Sequence, residues 1–493
     1  MKVLIYSNQG LAPLHLGIEL EIIEKLREEG NQLFIVKCDN VLEGCYFNPC
    51  HNLLGCAICE ARSDVFYKKI GIKKEQVFKL KEYPEAYSMT LPFFNNLNEL
   101  LAFEYEGVNL GRGVASSIIS LRRDSDINSH NDSEFIDYQL RMALNVYFNF
   151  SHYLNKFKPD LIYLFNGRFA ECHPVIGLAK KHNITFKTIE VSSSKHRYEL
   201  FENTLPQSLQ KRIADTEKQW NAADPIEREE VAIRWFEEKR KGTVKIGLVF
   251  TDSQTPNKLP DNFDSSKMNI VIFNSSEDEL KVIEDWKFDI FETQNEAITT
   301  LVKHYEGNPN FHFYLRVHPN LGKVDNTQSR GIEKMDFENL TVIPAFSDVD
   351  TYSLMDECDK TLTFGSSTGL EATYWRKPSI LLGKSWYQTF NCVYHPKAYD
   401  ELFELIDQEQ LPPKTRESTY KRAYYLYSYG RPYRHFEFNG KFDSYYRKEK
   451  MKRTYPRTVL YFFKYLYNFK KWIKYNYIVR RKSIFKSDIT KLR

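Results

Sequence analysis

Two short stretches of this sequence carry side chains suited to holding an anion. "RVHPN" sets Arg316, His318 and Pro319 side by side, and "FGSSTGLEA" sets Ser366, Ser367, Thr368 and Glu371 close together. Arginine offers a planar fork of donors that matches phosphate oxygens, and histidine gives one N–H when neutral or a charge when protonated. Hydroxyls at a helix start join the outward backbone N–H groups and the positive end of the helix dipole. Glu371, about one turn into that helix, can accept hydrogen bonds from ribose hydroxyls. Together these residues describe a pocket for a nucleoside mono- or diphosphate. A third loop, "PAFSDVD", brings Ser347 and Asp348 to the same set. Serine and threonine before a helix with a glutamate after them also make an ordinary capping arrangement. The Arg-X-His-Pro stretch serves no core, and the conjunction of the two loops favours a ligand.

Other residues can do different chemistry. In "SNQGLAPLHLGIELE", His15 and Glu19 lie four apart and share a helix face. Either can act as a general base toward an acceptor hydroxyl, with Glu19 slightly ahead, or serve as a cap and as balance to the helix N-terminus. "NGR" supplies Asn166 and Arg168, and Glu190 ends the next strand; an arginine there can hold an anionic substrate group or pair with an internal acid. The run "CDNVLEGCYFNPCHNLLGCAIC" concentrates cysteines between Cys38 and Cys59. Cys56-X-X-Cys59 has metal-ligand spacing, and Cys45, Cys50 and His51 can complete a set of four. A structural zinc on Cys45, Cys50, Cys56 and Cys59 would pin an irregular loop; an iron–sulfur cluster ranks lower as occupant, and reduced packed thiols are the alternative.

These residues need elements to position them. "KVLIY" reads as a buried strand, "LGIELEIIEKLREEG" as a helix closed at Gly30, and "QLFIVKC" as the next strand. Strand, helix and strand at this spacing make a βαβ unit with a parallel sheet. A long helix over about Asn131 to Phe157, "PDLIYLF" and "ITFKTIEV" continue the pattern. "VKIGLVF", "NIVIF", "FHFYLRV", "TVIP", "KTLTF" and "SILLG" start and complete a second series. The expectation is an α/β protein with two Rossmann-like, doubly wound domains facing a cleft and a basic amphipathic tail. The boundaries fall at 1–225 for the N-terminal, acceptor-binding domain, 226–242 for a linking helix, 243–435 for the C-terminal, nucleotide-sugar-binding domain and 436–493 for the tail. In open α/β sheets ligands bind beyond the carboxyl ends of the strands, where all three anion-binding loops lie.

"FYLRVHPN", "FSDVDTYSLMDECD" and "TFGSSTGLEATYWRKPSILLG" resemble the C-terminal half of bacterial capsule and surface-polysaccharide biosynthesis proteins, glycosyltransferases of the GT-B fold. A His-Pro motif followed by a Ser-Ser motif is also similar to bacterial sialyltransferases, capsule Kdo transferases and teichoic-acid polyol-phosphate transferases. The resemblance covers roughly 311–383 well and the rest by architecture. It implies that His318 and Pro319, with Ser366 and Ser367, hold a cytidine nucleotide of the donor, with UDP or GDP as alternatives. It implies metal-independent transfer to a surface glycan or lipid-linked acceptor. The rivals are a polyol-phosphate transferase, a nucleotide-sugar epimerase, and a non-catalytic scaffold at the membrane.

Composition sets bounds on this reading. A hydrophobic fraction of 42% over 493 residues supports more than one core. The net charge of +4 conceals an asymmetry: residues 441–493 hold 17 Lys+Arg against 3 Asp+Glu, a net +14, which leaves −10 for the rest. Within the tail, Phe462, Tyr465, Leu466, Phe469, Trp472 and Ile473 share one helical side and Lys464, Lys470, Lys471 and Lys474 the other. Such a helix suits an anionic membrane surface; no RNA-binding motif accompanies it, so nucleic acid is not expected as a partner. With no signal peptide at the start and no uncharged span, the expected place is the cytoplasm, at the inner face of the membrane.

Overall fold

The computed structural model describes residues 1–127, 129–194, 196–243, 254–438 and 444–451. They form two compact units, one of Met1–Arg122, Asp126–Pro206 and the chain from Gly430, the other of Arg123–Ser125 and Gln207–Tyr429.

The first unit is built on β1 (Lys2–Ser7), β2 (Gln32–Lys37), β3 (Val77–Lys79), β4 (Leu161–Phe165), β5 (Thr185–Val191) and β6 (Arg197–Glu202), in the order β6-β5-β4-β1-β2-β3. β1 to β5 pair in parallel and β6 turns back antiparallel on β5. β1 is central because its apolar run is buried on both faces; Ile5 lies opposite Ile35 on one side and Tyr163 on the other. The helix after β1, α1 (Pro13–Glu28), opens on a proline at its first turn and stops before Gly30, whose φ is +74°. α2 (Leu53–Lys69) is capped by Asn52, whose side chain accepts from Leu54 N and Gly55 N. α3 (Ser129–Phe157) and α4 (His173–Lys181) complete the helical cover named here.

The chain returns to this unit at its end. Arg431–Pro432 pairs with β6, and a small hairpin sheet of Phe436–Phe438, Ser444–Tyr446 and Glu449–Lys450 packs on α1. Two glutamates of α1, both buried, hold it: Glu21 accepts from Phe436 N at 2.7 Å and Glu24 from Arg447 at 2.6 Å. The stretch up to Met451 is therefore part of a folded unit rather than of the basic tail. The amphipathic run at 462–474 lies outside the described residues.

The second unit begins earlier than the expected boundary at 225. α5 (Leu209–Ala222) and α6 (Pro225–Arg240) bury Trp220, Trp235 and Phe236 in one cluster with Tyr374 and Tyr420. Residues 226–242, read as a bridge, are thus an integral helix of this unit; the apolar side of α6 is what ties it in. The sheet comprises β7 (Met268–Phe273), β8 (Phe311–Arg316), β9 (Leu340–Ile343), β10 (Lys360–Thr363) and β11 (Ser379–Leu381), all parallel, in the order β9-β8-β7-β10-β11. Ile272 of β7 stands between Leu315 and Leu362, all fully buried. α7 (Gln294–His304), α8 (Thr351–Glu357), α9 (Ser367–Tyr374) and α10 (Tyr420–Ser428) cover it. The expected strand "VKIGLVF" falls in 244–250, outside the described residues. Two Rossmann-like α/β units in one chain are the composition of the GT-B fold. No described helix is long and apolar enough to cross a membrane.

Candidate nucleotide-binding site

In the second unit the chain leaves β7 toward β8 and β9 on one side, and passes from β10 to β11 on the other. The order reverses between β7 and β10, and a crevice forms beyond the carboxyl ends at such a point. A cavity lies there. Phe273 and Asn274 end β7, Arg316 to Pro319 end β8, and Ser366 to Thr368 follow β10; Lys239 of α6, Gln254, Thr351, Tyr352 and Glu371 close it. Both sequence motifs meet in this one cavity, although they are far apart in the chain.

His318 is fixed from two sides. Its backbone N–H donates to Asn274 Oδ1 at 2.7 Å, and its Nδ1 accepts from Asn320 N at 3.1 Å. Burial, helped by the charge of Arg123, lowers its pKa to about 4. The imidazole is therefore neutral at pH 7, and with Nδ1 accepting, the proton sits on Nε2. Of the two roles open to this histidine from its sequence, a neutral N–H donor or a charged imidazolium, the structure favours the neutral one.

Arg316 is spent differently from the expectation. Its guanidinium donates to Pro344 O and Ser347 O, both at 3.0 Å, and so binds the loop after β9 to the end of β8. Ser347 and Asp348 do not line the cavity. Ser347 Oγ accepts from Val349 N at 3.3 Å. Asp348 pairs with Lys258 at 2.8 Å and accepts Thr255 N at its carbonyl, which fastens the segment that precedes β7. Short polar residues after a strand served loop structure here, not the ligand.

The loop after β10 is tightly made. Gly365 has φ +129°, and a Cβ there would lie 2.5 Å from Lys384 O. Ser366 caps α9 by accepting from Thr368 N at 3.2 Å, and Tyr387 donates its hydroxyl to Ser366 O at 2.6 Å. Ser366 Oγ and Thr368 Oγ1 are 2.8 Å apart. Hence the hydroxyls cap the helix and face the cavity at once.

Glu371 is the clearest correction. It is 4% exposed, and both carboxylate oxygens are engaged: Oε1 accepts from Lys239 at 2.7 Å and Ser367 at 3.1 Å, Oε2 from Tyr352 at 2.6 Å. A carboxylate so committed is an anchor for Lys239, not a ribose contact. Lys239 also donates to Ser367 Oγ at 2.6 Å. Sequence reasoning missed Lys239, because it lies at the end of α6 and far from either motif. Asn274 was within reach, since it directly follows the strand "NIVIF".

The residues chosen in the first unit are placed as follows. Asn166, at φ +50°, donates to Glu190 at 2.6 Å, and Arg168 N donates to Asn166 Oδ1 at 3.4 Å, so these three do meet at the carboxyl ends of β4 and β5. Arg168 also packs over Phe169 and donates to Ser116 Oγ at 3.4 Å. His15 and Glu19 share α1 but have separate surroundings. His15 stands edge-on between Phe47 and Phe165, and burial lowers its pKa to about 4. Glu19 is 1% exposed and accepts from Tyr67; burial raises its pKa to about 7. It does not stand open at a loop, because α2 covers it.

The expected zinc ligands Cys45, Cys50, Cys56 and Cys59 lie in the first unit. Among the described residues, no three His, Cys, Asp or Glu side chains are gathered tightly enough to share one metal ion. Cys56 and Cys59 project from α2, where Asn48 Nδ2 lies 3.1 Å from Cys56 Sγ. His51 instead bonds Asn40 Oδ1 at 2.9 Å.

Of the comparisons with known proteins, the match to a protein family bears on the motif reading. No curated protein matches the sequence. Among solved structures, KpsC of Thermosulfurimonas dismutans, a β-Kdo 2,4 transferase, aligns at 13% identity over 54% of this chain and 79% of its own, with a TM-score of 0.35. A β-Kdo 2,7 transferase KpsC from the same organism aligns at 14% over 56% and 79%, with a TM-score of 0.33. A UDP-GlcNAc 2-epimerase of Neisseria meningitidis aligns at 12% over 86% and 98%, with a TM-score of 0.28. The family model described as capsule polysaccharide biosynthesis protein matches residues 251–411, about a third of the chain, and spans both the His-Pro and the Ser-Ser motif. Residues 251–411 are thus similar to the family described as capsule polysaccharide biosynthesis protein.

Proposed function

We propose that the chain is a metal-independent glycosyltransferase that moves a sugar from a nucleotide-activated donor to a surface or capsular glycan. The observation that carries this is the meeting of His318, Lys239 and the capped start of α9 in one crevice at the reversal of strand order. In transfer from a nucleotide-sugar, negative charge grows on the leaving phosphate. Lys239 supplies a cation, His318 a neutral N–H donor, and Ser366 and Thr368 hydroxyls at the positive end of a helix. The motif resemblance favours a CMP-sugar as donor.

The acceptor is assigned to the first unit. Glu19 has a pKa near 7 but no access, whereas His15 is partly exposed but is a weak base at about 4. The basic segment beyond Met451 is proposed to hold the enzyme against an anionic membrane, where a lipid-linked acceptor would be. The test is turnover. Purified protein given a panel of nucleotide-sugars and a glycan acceptor should release free nucleotide and extend the acceptor by a sugar mass. Nucleotide bound without release would favour a scaffold, and phosphorus gained by the acceptor would favour polyol-phosphate transfer.

A further inference from the structure

β7 lies between β8 and β10, and Phe273 at its end stands opposite Arg316 on one side and Thr363 on the other. The next residue, Asn274, therefore sits between the His-Pro stretch and the loop that opens α9. It lines the cavity and is 2% exposed. A ligand that bridges His318 and the start of α9 crosses this position.

Chemistry fixes which way its amide faces. The backbone N–H of His318 can only donate, so the atom that it meets at 2.7 Å is the oxygen, Oδ1. The other branch is then the nitrogen. Nδ2 is buried, and its N–H groups meet no acceptor among the described residues. Of the described residues that line the cavity, Asn274 alone has a buried side-chain atom in this state. Its neighbours are engaged: Arg316 with Pro344 O and Ser347 O, Glu371 with Lys239, Ser367 and Tyr352, and Ser366 with Thr368. A buried donor without an acceptor lowers stability, and a ligand oxygen at the cavity wall offsets that cost.

We propose that Asn274 has two tasks: Oδ1 holds His318 in place, and Nδ2 donates to a non-bridging oxygen of the phosphate that leaves with the nucleotide. This rests on the reading of the cavity as a nucleotide-sugar donor site. A phosphate oxygen accepts and never donates, so it is the partner that an unpaired amide N–H requires. The amide brings no charge of its own, so beside Lys239 it adds a hydrogen bond and leaves the charge balance unchanged. Its bond to His318 sets it before the ligand arrives, and no reorientation is needed as negative charge grows on the phosphate.

The test is calorimetry on the full chain with CMP, CDP, UDP and GDP, followed by the tightest of the four and its nucleoside, which has no phosphate. Asn274→Asp keeps an oxygen for the His318 N–H and removes the amide donor. Asn274→Ala removes the donor without adding charge. Asn274→Asp should lose about tenfold or more in nucleotide affinity and Asn274→Ala about threefold or more, with nucleoside affinity changed by less than about twofold in both. A residue that only positions His318 would tolerate the change to Asp. Unfolding temperatures without nucleotide show that each variant is folded, and Asn274→Asp decides the matter should Asn274→Ala fail to fold. Nucleotide affinity kept by Asn274→Asp or by folded Asn274→Ala, or a loss shared equally by the nucleoside, would overturn the proposal and leave the donor-site reading standing. No binding of any of the four nucleotides by the unmutated chain would overturn both.

Discussion

At the scale of single residues, the proposed donor pocket combines side chains placed to meet a ligand with others that hold them. Lys239 is the only cation among the described cavity-lining residues not committed to backbone carbonyls, as Arg316 is. Lys239→Met should weaken nucleotide binding by tenfold or more, about 1.4 kcal/mol, measured by calorimetry. Glu371→Gln separates two roles. As an anchor, its change should lower the stability of the second unit by about 1–3 kcal/mol, with no change in the ratio of affinities for ribo- and deoxyribonucleotides. A ribose contact would instead shift that ratio. His318 sets a pH signature. Its folded pKa of about 4 lies below the unfolded value of 6.5, so the unfolded chain binds protons first as pH falls. The stability due to neutral His318 is whole above about 6.5 and is lost as the pH falls toward about 4. Denaturant titrations at about pH 7 and pH 5 should show a smaller acid loss for His318→Gln than for the unmutated chain.

At the scale of elements, the loop from β10 into α9 shows how much was legible from residue types. Strand, small-residue turn and helix were readable from "KTLTFGSSTGLEA", because a buried apolar run must end where glycine and serines begin. The His-Pro stretch after β8 was readable for the same reason. What could not be read was which polar side chains were already satisfied. Glu371 and Asp348 looked like ligands in a linear sequence, and only the packing of α6 and of the segment near Lys258 supplies the cations that occupy them. The role of α6 was hidden likewise: its charged residues suggested a solvated bridge, while Trp235 and Phe236 bury one side. The turn itself yields a prediction. Gly365→Ala forces a left-handed φ on a residue with a Cβ and drives that carbon into Lys384 O. It should lower the unfolding temperature of the second unit clearly more than Ser366→Ala, whose lost helix cap costs about 1 kcal/mol.

At the scale of the whole molecule, two α/β units with parallel sheets follow from the repeated strand–helix spacing, and both are present. The position of the break does not follow, because the chain after Gly430 goes back to the first unit, where Glu21 and Glu24 lie buried on α1 awaiting partners. Nothing in the spacing of that helix announces a partner four hundred residues away. The charge division, −10 against +14, is a property of the sequence. A chain ended after Met451 keeps Tyr446 and Met451 in the core and should fold, yet lose its affinity for anionic vesicles in low salt. The central claim, however, rests on the second unit. Its most direct test is the change in unfolding temperature on adding CMP, CDP, UDP or GDP to the full chain and to its Lys239→Met and His318→Ala variants. The account predicts a rise with at least one nucleotide, largest for a cytidine nucleotide, that both variants lose. No rise with any of the four, or a rise that both variants keep, would contradict it.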